Sequence, residues 1–399
     1  MIPLPLDELR GLGELRGDAQ EVTGVEIDSR RVGRGDLFVA VRGGRAYVDD
    51  ARANGAAATL VPDDDFSALA AIGRAVRARI GARIVAITGS VGKTSTKDIL
   101  TALLRAAGRN VVAAPDGYNN EVGLPLTLCR ADADTDIVVT EMGMRGLGQI
   151  RALAEVARPQ VGVITSIAPV HLELLGSIEN IARAKAELLE HVEIGVVPAD
   201  EPLLEPFIPP GLDVRRFDVP EVGVRDGRVV VDGIEFGFAA RHQALNAAAA
   251  LATLDALSIP RPAGPVEVEF SRWRSQETDL PGGGLLINDA WNANPVAMRA
   301  ALAHLRERAG GRRTVAILGD MAELGPEASR FHEEIGADLG TVDIVIGVGE
   351  LARSYHPTHW AATAAEAVGL AREVVQPGDA ILVKGSRAIG LETVAEALA

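Results

Sequence analysis

Residues 83–107 constrain the fold more than any other stretch of the chain. Ile84 to Thr88 is an apolar run of strand length, Gly89-Ser90-Val91-Gly92-Lys93-Thr94 is a glycine loop, and a helical pattern follows from about Lys93 to Ala107. A buried strand that passes through two glycines straight into a helix belongs to a parallel sheet covered by helices. The same geometry binds phosphate, because glycines let backbone amides wrap an anion and the helix N-terminus adds partial positive charge. Lys93 is spaced to reach outer phosphates and Thr94 to meet a Mg²⁺ ion. Gly89, Ser90, Val91, Gly92, Lys93, Thr94 and Ser95 are therefore the expected nucleotide cradle. An ordinary strand–helix turn would also use glycines, but it has no need of Lys93-Thr94-Ser95-Thr96 at the helix start. The general phosphate-loop pattern wants a glycine at position 87, where this chain has Ile87.

The alternation extends on both sides of this unit. Before it, Asp36 to Val41 reads as a strand, Asp49 to Gly55 as a short helix, and Asp63-Asp64-Asp65 as a helix start. After it, strands are expected at Asp136 to Thr140 and Val161 to Ser166, with helices at Gly148 to Ala157 and Ser177 to Val192. Arg228 to Val231 and Ile234 to Phe238 flank Asp232-Gly233, a hairpin signal, and a helix follows from about His242 to Leu257. Pro260, Pro262 and Pro265 mark a linker. Beyond it, Leu285 to Asp289, Thr314 to Leu318, Asp343 to Val348 and Asp379 to Val383 read as strands alternating with helices. We read an α/β protein of three domains, residues 1–80, 81–268 and 269–399, as the length of 399 residues invites.

Composition narrows the function. A net charge of −15 argues against non-specific nucleic-acid binding. The N-terminus has no basic start and no long apolar run, and no segment is long and apolar enough to insert in a membrane. The single Cys129 cannot form an internal disulfide, which suits the cytoplasm. A monomer is expected. Of the 40 basic residues only Lys93, Lys97, Lys185 and Lys384 are lysines. Drift toward arginine explains the scarcity better than it explains where the survivors stand, since a reactive amine has no arginine substitute.

Glu141 ends a strand and His171 follows the next one, so both could reach a metal ion beside the phosphates. By residue chemistry alone His171 is an acid–base candidate or a packing histidine, and Glu141 is a metal ligand or a solvated strand end. By residue chemistry alone Lys185 is a solvent-facing helix lysine paired with an acid. Lys384-Gly385-Ser386-Arg387 ends the last strand at an expected helix start, either an anion site or a cap with dangling cations. Lys97 carries no motif of its own.

The motifs together resemble the Mur ligase family, whose phosphate loop is the shorter form seen here from Thr88 to Thr94. Tyr118-Asn119-Asn120-Glu121-Val122-Gly123-Leu124-Pro125, Glu141-Met142-Gly143 and His171 to Ser177 fall in family order. Asp289-Ala290-Trp291-Asn292-Ala293-Asn294-Pro295 and Leu318 to Gly325 are similar to the branch that adds D-alanyl-D-alanine to UDP-N-acetylmuramoyl-tripeptide in peptidoglycan precursor synthesis. The resemblance implies a UDP-binding N-terminal domain, a central ATPase-like domain with a phosphate loop and a Rossmann-like C-terminal domain. It implies ATP, two Mg²⁺ ions and a carbamylated Lys185, with Lys93, Lys185 and His171 in catalysis and Thr94, Glu141, His171 and Lys185 at the metals. It places Asn246, Arg274 and Asp289 on the nucleotide, and Ser29, Arg30, Asn119, Asn120, Asn292, Asn294, Lys384, Ser386 and Arg387 near the other substrates. The chain departs from the family in three places. Gln243 stands for an Asn, Trp291 for a Tyr, and an Asp-Gly-His-Asp stretch is missing between Gly44 and Tyr47. A folylpolyglutamate-type amide ligase, another cell-wall ligase and a nucleotide-driven switch are the alternatives.

Overall fold

The computed structural model describes residues 1–219 and 221–399. The strand Arg83–Thr88 lies inside a six-stranded, all-parallel sheet. Ile137–Glu141 and Val111–Ala113 extend it on one side, and Val161–Ile164, Ile194–Pro198 and Asp213–Phe217 on the other. Such a sheet must be covered on both faces. One face packs on the helix Lys93–Ala106 and the alanine-rich helix Ala244–Ala256, together with a small antiparallel sheet built from the hairpin Arg228–Val231 and Ile234–Phe236. The other face shares one apolar core with the N-terminal segment, including Leu69, Ile72 and Val76 of the helix Asp65–Arg77. The Asp64 carboxylate caps that helix by accepting from the Ser67 N–H at 2.7 Å.

The N-terminal segment forms a four-stranded mixed sheet from Gly13–Arg16, Ala58–Pro62, Asp36–Val39 and Gly24–Glu26. The C-terminal segment is a second six-stranded sheet. Gly284–Asp289, Ala380–Lys384, Thr314–Gly319, Ile344–Val348 and His359–Ala361 run parallel, and Gln276–Leu280 adds an antiparallel edge. Separate apolar cores fill its two faces, which is the doubly wound arrangement.

Three details differ from the sequence reading. The helix expected to run to Val192 ends at Ala186 and tightens into a 3₁₀ turn at Glu187–His191. Asp213–Phe217, which the sequence reading did not assign, is the edge strand of the central sheet. Lys384-Gly385-Ser386-Arg387 does not open a helix: a 3₁₀ turn follows at Arg387–Ile389, and the helix begins at Glu392. No helix among the described residues is long and apolar enough to cross a membrane.

Candidate active site

The glycine loop sits at the carboxyl end of the central strand, where the sheet delivers its loops. Gly89 has φ +149°, and a Cβ there would fall 1.9 Å from the Thr165 hydroxyl. Gly92 has φ +88°, and its Cβ would meet Asn246 Oδ1 at 2.2 Å. Both positions need glycine, the second because the loop closes directly under the Asn246 side chain. The Lys93 ammonium folds back over the loop and donates to the Gly89 carbonyl at 2.8 Å.

Glu141 is the hub of the site. Its Oε2 accepts from the Thr94 hydroxyl at 2.8 Å and its Oε1 from the Asn119 amide at 3.0 Å. Burial pushes this carboxyl up, but Lys93, the Asn119 amide and Arg274 outweigh it and hold the group below its usual range, so it is anionic. Arg274 reaches in from the start of the C-terminal segment and donates to Thr94 Oγ1 at 3.1 Å. Its guanidinium lies 5.4 Å from the centre of the Trp291 ring, which stacks on Trp273 at 5.9 Å and 25°. The flat surface that Trp291 offers in place of Tyr is therefore in use.

Lys185 is 2% exposed on its helix, facing inward. Burial drives its amine well below the ordinary lysine range, and the neighbouring Lys93 ammonium adds to the effect. His171 stands at the start of the short helix Leu172–Leu175 with φ +55°, a strained value for a non-glycine residue. Burial lowers the imidazole, Glu323 opposes this, and Lys93 and Lys185 reinforce it. Its Nδ1 lies against the Glu323 carboxylate, without hydrogen-bond geometry. Lys93, Thr94, Asn119, Asn120, Glu141, His171, Lys185, Arg274 and Asn292 all line one polar cleft of about 480 Å³. Arg42, Arg145 and Arg272 also line it.

An adjoining pocket of about 90 Å³ is lined by residues 90–95, His242, Gln243, Asn246, Arg274, Asp289, Asn292, Asn294 and Lys384. Gln243 Oε1 accepts from the Asn246 amide at 2.7 Å, so the departure from Asn orients its neighbour. Asp289 accepts from Lys384 Nζ at 2.6 Å and from the Ser275 N–H at 3.2 Å.

Other expected residues are occupied by the fold itself. Asn120 accepts from the Val122 and Gly123 N–H groups at 3.1 and 3.0 Å, and Asn294 caps the helix Pro295–Ala309. The Ser386 hydroxyl accepts from the Ala322 N–H at 2.9 Å, and Arg387 lies over Trp273 at 4.6 Å while pairing with Glu392. Asp289 accepts from the Lys384 ammonium and the Ser386 hydroxyl accepts from the Ala322 N–H, while Lys384 still lines the pocket beside the phosphate loop. Ser29 is buried and Arg30 pairs with Asp28 at 2.7 Å, and neither lines the cleft.

Sequence reasoning missed Arg42, Arg145, Arg272 and Glu323. Glu323 had a signal, since it lies inside the Leu318 to Gly325 motif. The arginines had none in a chain that uses arginine everywhere.

A divalent cation fits these residues. Among the described residues no cluster of three or more His, Cys, Asp or Glu side chains forms. A buried carboxylate beside a hydroxyl is hard-oxygen chemistry of the kind Mg²⁺ takes, with phosphate and water completing its shell.

A phosphate loop, an anionic carboxylate beside it and an arginine brought across from a second doubly wound sheet define an ATP-dependent ligase. Two family models match: the Mur ligase middle domain over residues 87–210, and the Mur ligase glutamate ligase domain over residues 273–387. The chain is 35% identical to the UDP-N-acetylmuramoyl-tripeptide–D-alanyl-D-alanine ligase of Mycobacterium tuberculosis (strain ATCC 25618 / H37Rv), over 95% of this chain and 92% of the relative. A crystal structure of MurF from Acinetobacter baumannii superposes with a TM-score of 0.87 at 25% identity, covering 99% of this chain and 98% of that one. MurF ligase from Thermotoga maritima in complex with ADP gives 0.81 at 26% identity, covering 94% and 96%. The chain belongs to the Mur ligase family.

Proposed function

We propose that this enzyme uses ATP to join D-alanyl-D-alanine to UDP-N-acetylmuramoyl-tripeptide, in the cytoplasm and as a monomer. The observation that carries the reading is that two pockets share Thr94, Lys93 and Arg274: a small one lined by the phosphate loop, and a wider one into which Arg42, Arg145 and Arg272 also face, as an acidic peptide would need. The names of its relatives supply the particular substrates.

In this reading the terminal carboxylate of the tripeptide attacks the γ-phosphorus of ATP. The bond to the bridging oxygen breaks, giving an acyl phosphate and ADP. The neutral amine of the dipeptide then attacks the acyl carbon, inorganic phosphate leaves, and the amine proton passes to solvent. The protein contributes position and charge. Lys93 and the loop amides hold the β- and γ-phosphates, and Arg274 meets the transferring group from the opposite side. Asn246 faces adenine, and Asp289, held by Lys384 and the Ser275 N–H, faces the ribose. Thr94 and Glu141 would hold one Mg²⁺, and His171 with Lys185 a second; bound there, the ions would neutralise phosphate charge. Lys185 suits that role as a carbamate. Burial and the Lys93 ammonium favour the neutral form of its amine, which can add CO₂ with loss of a proton and so become an anionic ligand.

The test is phosphate release from ATP with UDP-N-acetylmuramoyl-tripeptide, with and without D-alanyl-D-alanine. Release that needs both supports the reading, and release indifferent to the dipeptide refutes it.

A further inference from the structure

Lys97 is the lysine that the ligase chemistry leaves unused. It sits one turn into the phosphate-loop helix with its side chain 5% exposed, beside Asp98 at 9%. Its ammonium meets three acceptors: the Ala114 carbonyl at 3.0 Å, the Ser271 hydroxyl at 3.2 Å and Asp98 Oδ1 at 3.0 Å. An ammonium can turn three donors toward three acceptors around a point, whereas a planar guanidinium cannot. Asp98 in turn accepts from the Ser271 N–H at 2.8 Å and from its hydroxyl at 3.1 Å. Two neighbours on the phosphate-loop helix thus grip one residue of the connection into the C-terminal sheet.

That connection carries Arg274. Between the grip and the sheet the backbone arches through Trp273 at φ +58° and Ser275 at φ +49°, both non-glycine residues in the left-handed region. The Trp273 N–H is tied to Gln276 Oε1 at 2.9 Å and the Ser275 N–H to Asp289 at 3.2 Å. The arch is therefore fixed at its far end by the C-terminal sheet and at its near end by Asp98, and its middle residue touches the Thr94 hydroxyl. A strained arch holds its shape only while both ends are tied.

We propose that Asp98, braced by Lys97, is a positioning residue for phosphoryl transfer: it moors Ser271 to the phosphate-loop helix and so sets where Arg274 meets the nucleotide. The proposal rests on the reading of Arg274 as a contact to the transferring phosphate.

The experiment measures kcat, KM for ATP and melting temperature for Asp98→Ala, Ser271→Ala and the apolar pair Lys97→Met/Asp98→Leu. Asp98→Ala is also made in an Arg274→Ala background. Misplacement of a catalytic group by about 1 Å costs on the order of 100-fold, so Asp98→Ala is expected to lower kcat by about that factor with little change in KM for ATP. Apolar replacement of a buried ion pair commonly preserves stability, so the double variant should melt close to the parent while keeping the loss in kcat. In the Arg274→Ala background Asp98→Ala should cost nothing further, because the group it positions is gone. If the apolar pair restores kcat along with melting, or if the losses of Asp98→Ala and Arg274→Ala multiply, Asp98 is only a structural anchor and the proposal fails. Should Asp98→Ala not fold, Ser271→Ala, which removes the hydroxyl contact alone, carries the same cycle with an expected loss of about 10-fold. Dipeptide-dependent phosphate release by the parent is measured first, so failure of the ligase reading appears in the parent and failure of this one only in the variants.

Discussion

Acidification should weaken the fold through one residue, His242. Burial holds its imidazole down at about 4, from 6.5; Asp289 opposes this, while His304 and Lys384 add to it. The ring packs edge-on against His304 at 5.5 Å and 74°, in the pocket beside Asn246. Unfolded, the ring binds a proton near 6.5, and folded only near about 4. Between those values the unfolded chain holds more protons, so stability rises with pH through the window. The contribution is fully present above 6.5 and is lost as pH falls toward about 4. Integrated from about pH 7.5 to about pH 5, the loss is about 2 kcal/mol. Urea unfolding at the two pH values, followed by the fluorescence of the three tryptophans, Trp273, Trp291 and Trp360, reads it directly. Other groups titrate too, so the quantity of interest is the difference between the parent and His242→Gln. The parent should lose about 2 kcal/mol more than the variant on acidification. Equal losses, or an NMR titration of the His242 ring near its free value, would show that the burial argument is wrong.

Three further outcomes follow from the site. Lys185→Ala should abolish turnover, with partial recovery on adding small carboxylates such as formate; full activity in the variant would remove the carbamate from the mechanism. Gly92→Ala forces a Cβ onto Asn246 at 2.2 Å and φ +88° onto alanine; calorimetry should show weakened ATP binding and a loss of stability of about 1–2 kcal/mol from the backbone alone. Glu323→Ala removes the carboxylate that reaches His171 and Arg145 from the C-terminal segment. If His171 holds a metal as proposed and Glu323 sets its ring, kcat should fall by about 10- to 100-fold; an unchanged kcat would show that Glu323 has no part in placing His171.

Much of the fold was legible because it is written in contiguous residues. The strand Arg83–Thr88, its two glycines and the helix Lys93–Ala106 carry their periods and turn chemistry locally. The hairpin around Asp232-Gly233 was legible for the same reason. Gln276–Leu280 was not, since a polar edge strand is strand only by virtue of the neighbour it pairs with. Val111–Ala113 and His359–Ala361 are too short to show a period.

The site divides along the same line. Phosphate-loop chemistry follows from adjacent residues, so Lys93 and Thr94 could be read from the sequence alone. Family order supplied Glu141, His171, Lys185 and Arg274 as candidates, and the tertiary structure decided that they share one cleft. It also decided what no spacing encodes: that Lys384 is spent on Asp289, that Glu323 meets His171, and that Lys97 and Asp98 hold Ser271 across 174 and 173 positions of chain. Local sequence sets backbone conformation and which face is buried. Which loop ends meet is set by how two doubly wound sheets and their connection pack together, and the polar atoms that packing buries must then find partners wherever the chain has put them.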